Sequence, residues 1–160
     1  MDEAQRATLA AHIRASTDPA TVAALATGNH TGLAEIYNTE AAFVAWQMAV
    51  SIEDVGNAFD YEEVGNMTSA NIERLDVFQS YNQGNVEPSR LDIREFFDDV
   101  FSGAAGTNTR ASLLALWKEI ATLAEEVLST GVGSDASPAT LGWSGTVTHR
   151  MISQALGENP

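Results

Sequence analysis

Four acids fall within eight residues, Asp92, Glu95, Asp98 and Asp99, and helical spacing sets Glu95 one turn from Asp98 and Asp99. Carboxylates gathered this way are the raw material of a hard-cation site. Calcium or magnesium, however, needs several oxygens converging from a shaped loop, and the chain has no DxDxDG sequence. Arg90 and Arg94 lie in the same stretch and can pair with these acids, which makes a solvated, partly salt-bridged helix face the simpler reading. His12, His30 and His149 lie far apart, with neither HxxxH nor HExxH spacing. No serine stands in a GxSxG elbow, since Gly142-Trp143-Ser144-Gly145 lacks that spacing. Gly103-Ala104-Ala105-Gly106 precedes a helical stretch but lacks the phosphate-loop lysine and the GxGxxG pattern, so helix capping accounts for it. With no cysteine, thiolate nucleophiles, thiolate metal sites and disulfides are excluded. The expectation is a non-enzymatic chain with no catalytic, cofactor-binding or metal-ligating residue.

Charge narrows the partners. Against 22 Asp and Glu stand 8 Lys and Arg, a net −14, and Lys118 is the one lysine. Nucleic-acid binding rests on cations that displace counterions from phosphates, and no basic run exists here. An anionic membrane surface is disfavoured for the same reason. The first 20 residues lack a basic start and a continuous apolar core, so they do not read as a secretory signal. No window reaches the ~18–20 apolar residues of a membrane span. The expected setting is a protein made in a cytoplasm.

The elements that position these residues read mostly as helices. Asp18-Pro19 is a cap followed by proline at the first helical position. Thr31 can cap a helix to Asn38, Ser51 one to Phe59, and Thr68 or Ser69 one to Tyr81. A further helix covers residues 88–101 and a last one 148–156, while residues 41–50, AAFVAWQMAV, fit either helix or buried strand. From 108 to 130, Leu113, Leu114, Leu116, Trp117, Ile120, Leu123, Ala124, Val127 and Leu128 recur at i, i+3, i+4 and i+7, predicting one long amphipathic helix. The expected fold is therefore mostly α: a compact bundle of five to seven helices, with a short extended or β element near the C-terminus. Residues 1–130 would form the bundle, and residues 131–160 an extended arm and short final helix of the same domain. The arm is rich in glycine and small residues. Its large apolar groups, Leu141, Trp143 and Val147, are the candidate partner-binding residues.

The run NTRASLLALWKE at residues 108–119, with LSTGVGSDASPATL at residues 128–141, resembles a family of short proteins encoded among the virion structural genes of tailed bacteriophages and prophages. Residues 9–13 through 17–20, and PSRLDIR at residues 88–94, resemble it too. The chain departs from the family where Glu119, Leu123 and Glu125 stand at positions that are basic in its relatives. The resemblance implies a head-to-tail adaptor, a homo-oligomeric ring in the virion beneath the portal. Its partners would be the portal protein, tail or neck proteins and copies of itself, with DNA passing through its channel unbound and no membrane involved. A head decoration or tail component is the alternative within that class. An acidic cation-binding protein or enzyme using Asp92, Glu95, Asp98 and Asp99 is the alternative outside it.

Overall fold

The computed structural model describes residues 1–82 and 84–157. In chain order it contains α1 (Glu3–Ala15), α2 (Pro19–Ala26), α3 (His30–Tyr37), β1 (Glu40–Trp46), β2 (Val50–Ser51), α4 (Ile52–Asn57), α5 (Tyr61–Gly65), α6 (Ser69–Tyr81) and β3 (Asn85–Val86). Then come α7 (Leu91–Val100), a 3-10 turn at Ala104–Gly106, α8 (Thr107–Leu116), β4 (Lys118–Thr122), α9 (Leu123–Val127), β5 (Ser129–Thr130), β6 (Ala139–Leu141) and α10 (His149–Leu156). The chain divides into two compact units: Met1–Ala45 with Ile120–Pro160, and Trp46–Glu119.

With 57% helix and 15% strand, the fold is mixed α/β, which corrects the expectation of a mostly α bundle. A four-stranded sheet runs in the order β4-β1-β6-β5, and β2 and β3 pair as a second, antiparallel sheet through Val50–Val86 and Ser51–Asn85. Of residues 41–50, which fit either helix or strand, 41–46 lie in β1 and Val50 opens β2, with 47–49 a loop between them.

The error in the helical reading lies at residues 108–130. The long helix stops at Leu116, continues as β4 and restarts as α9. In β4, Ala121 is buried while Ile120 is 54% exposed. Adjacent residues of β4 thus face opposite sides, as in a strand rather than a helical stripe. Thr122 restarts the helix with a capping box: its side chain accepts from the Glu125 N–H, and the Glu125 carboxylate takes the Thr122 N–H. Apolar residues at helical spacing were satisfied by helix, strand and helix in succession. Ile120, Thr122 and the T-x-x-E signature marked the break.

In the first unit, α1, α3 and α10 close around Leu9, Ile13, Leu33, Tyr37, Val147 and Ile152, with Ala124 from α9. The expected arm is part of this unit. β6 sits between β1 and β5, pairing with β5 antiparallel at Ser129–Leu141 and Thr130–Thr140. Small residues are there because backbones approach closely. A side chain at Gly133 (φ 71°) would run into the Phe43 ring, and one at Gly142 into the Leu128 carbonyl. The second unit packs α4, α6, α7 and α8 around Val55, Leu75, Val86, Phe97, Val100, Phe101, Leu113 and Trp117. Its centre is aromatic: Phe78 stacks on Phe96 with centroids 4.7 Å apart, and Phe97 meets Trp117 edge-on at 5.4 Å.

Candidate functional site

The three residues expected to bind a partner belong to the first unit. Leu141 is 4% exposed and Val147 1%, both spent on the core of that unit. Trp143 is half-buried against the same apolar cluster. Polar clamps fix the segment that carries them. Asn38 binds the Val147 backbone twice, its Nδ2 donating to the Val147 carbonyl and its Oδ1 accepting the Val147 N–H, both at 2.8 Å. Gln5 Nε2 donates to the Gly142 carbonyl at 2.7 Å. Glu125, 7% exposed, is the third clamp. Its Oε2 accepts the Thr122 N–H at 2.8 Å and hydroxyl at 2.9 Å, while its Oε1 accepts the Ser144 hydroxyl at 2.9 Å and the Gly145 N–H at 3.1 Å. Burial alone would raise the Glu125 carboxyl, but these donors outweigh it and hold the group below the ordinary range. The Glu125 carboxylate thus serves both the start of α9 and the loop at 144–145.

The acids weighed for a cation do not converge. Asp92 pairs with Arg90 at 2.6 Å and Asp99 with Arg74 at 2.8 Å, all well exposed. Among the described residues no group of three or more His, Asp or Glu is placed to hold a metal ion. Asp60 and Glu63 do something else. Gly106 gives α8 no side-chain cap, and Glu63 supplies one from α5, with Oε1 and Oε2 each accepting at 2.8 Å from the Asn108 and Thr109 N–H groups. Asp60 Oδ2 accepts from Asn108 Nδ2 at 2.9 Å, and the Asp60 N–H donates to Thr109 Oγ1 at 3.0 Å. A carboxylate at a helix N-terminus meets both free N–H groups and the positive end of the dipole. The N-terminus of α8 is thus capped by a side chain from elsewhere in the second unit.

The histidines remain scattered. His12 Nδ1 lies 2.7 Å from the Tyr37 hydroxyl, whose burial, with the Asp18 charge, pushes its pKa up to about 12. Tyr37 is fully buried, whereas His12 is exposed.

Comparison with known proteins gave no match: no family model, no curated protein and no solved structure matches the chain.

Exposed apolar residues gather on α6 of the second unit. Along α6, Ile72, Val77 and Tyr81 are exposed, Tyr81 to 85%. Val77, Phe78 and Tyr81 line a groove completed by Phe96 of α7. Among the described residues no helix is long and apolar enough to cross a membrane. The α6 helix buries Leu75 and leaves Ile72 and Val77 exposed. Its apolar residues wrap the helix too widely for one buried stripe, and that excess was the available signal.

Proposed function

We propose that this chain is a structural protein of a bacteriophage virion, acting as the head-to-tail adaptor in a ring beneath the portal. The observation that carries the reading is the resemblance over residues 88–141, where the NTRASLLALWKE and LSTGVGSDASPATL runs lie. Physical features agree with a role in assembly. The chemistry-bearing residues are occupied in structural tasks: Glu125 and Asn38 clamp a loop, Glu63 caps a helix, and Asp92 and Asp99 sit in surface ion pairs. Subunits of net −14 repel one another, so a ring of them needs contacts that owe little to charge. The exposed apolar residues of α6 are surface of that kind. In a closed ring such a contact is heterologous, the α6 face of one copy meeting a different face of the next. Acidic subunits around a channel would repel phosphate and leave DNA free to pass.

Because Leu141 and Val147 are engaged in their own unit, ring contacts do not draw on them in the folded subunit. Trp143, half-buried, is the member of that trio a partner can reach.

Mass photometry and negative-stain microscopy across a salt series test the proposal. Rings should form more readily as salt rises, because screening relieves repulsion while apolar contact persists. Val77→Asp should shift the protein to monomer without altering its circular dichroism. A protein that stays monomeric at every salt concentration, alone and mixed with portal, would refute the adaptor reading.

A further inference from the structure

The second unit contains a cavity of about 380 Å³ between α7 and α8, within the size range of small-molecule sites. Its wall is unusual for so acidic a chain, because two of the seven arginines, Arg94 and Arg110, line it. Neither forms an ion pair among the described residues. Arg94 donates to the Pro88 carbonyl and lies over Trp46, its Cζ 4.3 Å from the ring centroid. Arg110 donates to the carbonyls of Phe101 and Gly103, the latter at 2.9 Å. A guanidinium has five N–H donors, so both retain unused ones. Trp117, 3% exposed and also part of the wall, has an indole N–H with no acceptor. The cavity therefore offers aromatic surface and unspent donors.

We propose that this cavity binds a carboxylate carried on a flat apolar body, the carboxylate meeting Arg94 and Arg110 and the body lying against Trp46 and Trp117. Exposed Glu95 and Asp98 share the wall and oppose an anion. Water screens them, whereas burial holds the Arg94 guanidinium below its ordinary range, so a seated carboxylate meets the less-screened charge. The acid can be a free small molecule or the C-terminal residue of a polypeptide, since both present the same chemistry.

Calorimetry on the full chain decides, with 1-naphthylacetate as probe and its amide and 1-naphthylmethylamine as controls. The acid should bind one to one, about tenfold tighter than the amide, as expected for a charged hydrogen-bonded group, with the amine weakest. Arg94→Met and Arg110→Met should each cut affinity about tenfold. Both arginines also hold backbone carbonyls, so two further variants leave them intact. Ala111→Trp, at an exposed wall position of α8, should fill the cavity and abolish binding, whereas Glu95→Gln should strengthen it a few-fold. N-acetyl-Ala-Phe separates the sources: tighter binding than naphthylacetate assigns the site to a chain terminus, and weaker binding to a free acid. Equal affinity for acid and amide, or binding unaffected by Ala111→Trp, would overturn the proposal.

Discussion

Replacing Glu125 with alanine removes one carboxylate and four hydrogen bonds, two from the cap of α9 and two from the loop at 144–145. The Thr122 and Ser144 hydroxyls can rotate towards other partners, but the N–H groups of Thr122 and Gly145 cannot. Thr122 is partly buried, while Gly145 lies at the surface where water can replace the carboxylate, so the variant should lose about 1–3 kcal/mol. For a chain of this size that lowers Tm by roughly 3–10 °C. Glu125→Gln, whose amide nitrogen can donate but not accept, keeps one half of the clamp and should fall between. Differential scanning calorimetry gives the magnitude, and hydrogen exchange at Gly145 and Val147 localises it. The pH dependence follows from the same geometry. The folded carboxyl titrates below the ordinary glutamate value of 4.5, so in acid the unfolded chain takes up the proton first. Its stabilisation is full above about pH 4.5 and is lost as pH falls through the folded value. The Gln variant should lack that contribution to acid sensitivity. A Glu125→Ala protein within about 1 °C of the parent, with unchanged exchange at Gly145, would refute the clamp.

Gly133→Ala forces a side chain into the Phe43 ring at a positive φ and should cost about 2–4 kcal/mol, read as a lower urea midpoint. Truncation from Gly133 onward removes Ala139, Leu141, Val147 and Ile152 from the first unit. Proteolysis should then find residues 1–45 exposed, and a truncated chain with native protection there would place the segment outside the core. Filter binding should detect no retention on duplex DNA near physiological salt, because eight cations scattered among 22 acids release few counterions. Tight, salt-dependent retention would contradict an acidic channel.

Three helix starts were legible from single residues, whereas α3 is capped by Asn29 rather than the expected Thr31, and α7 begins at Leu91 rather than at 88. Asp18, Ser51 and Thr68 each accept a backbone N–H at the head of their helix, as their side chains dictate wherever a chain enters a helix. The cap of α8 was not legible, because Glu63 reaches it from 45 residues away. The candidate partner residues Leu141 and Val147 were identified as the large apolar groups of their segment, but sequence gave no sign that Asn38, Gln5 and Glu125 would fasten that segment down.

What the sequence determined by itself is local or summed over the chain: several helix caps, the absence of thiol chemistry, and a strongly negative net charge. What only the tertiary structure decided is pairing. Residues 118–122 became a strand because β1 was there to receive them, although their apolar spacing also fits a helix. Between 131 and 142, Gly133, Ala139 and Leu141 are buried while 134–137 stay exposed, and the backbone at Gly133 and Gly142 lies against Phe43 and Leu128. A side chain's period and size are written in the chain. The surface that fills the space beside it is supplied by residues distant in sequence, and its position is fixed only when the fold brings them together.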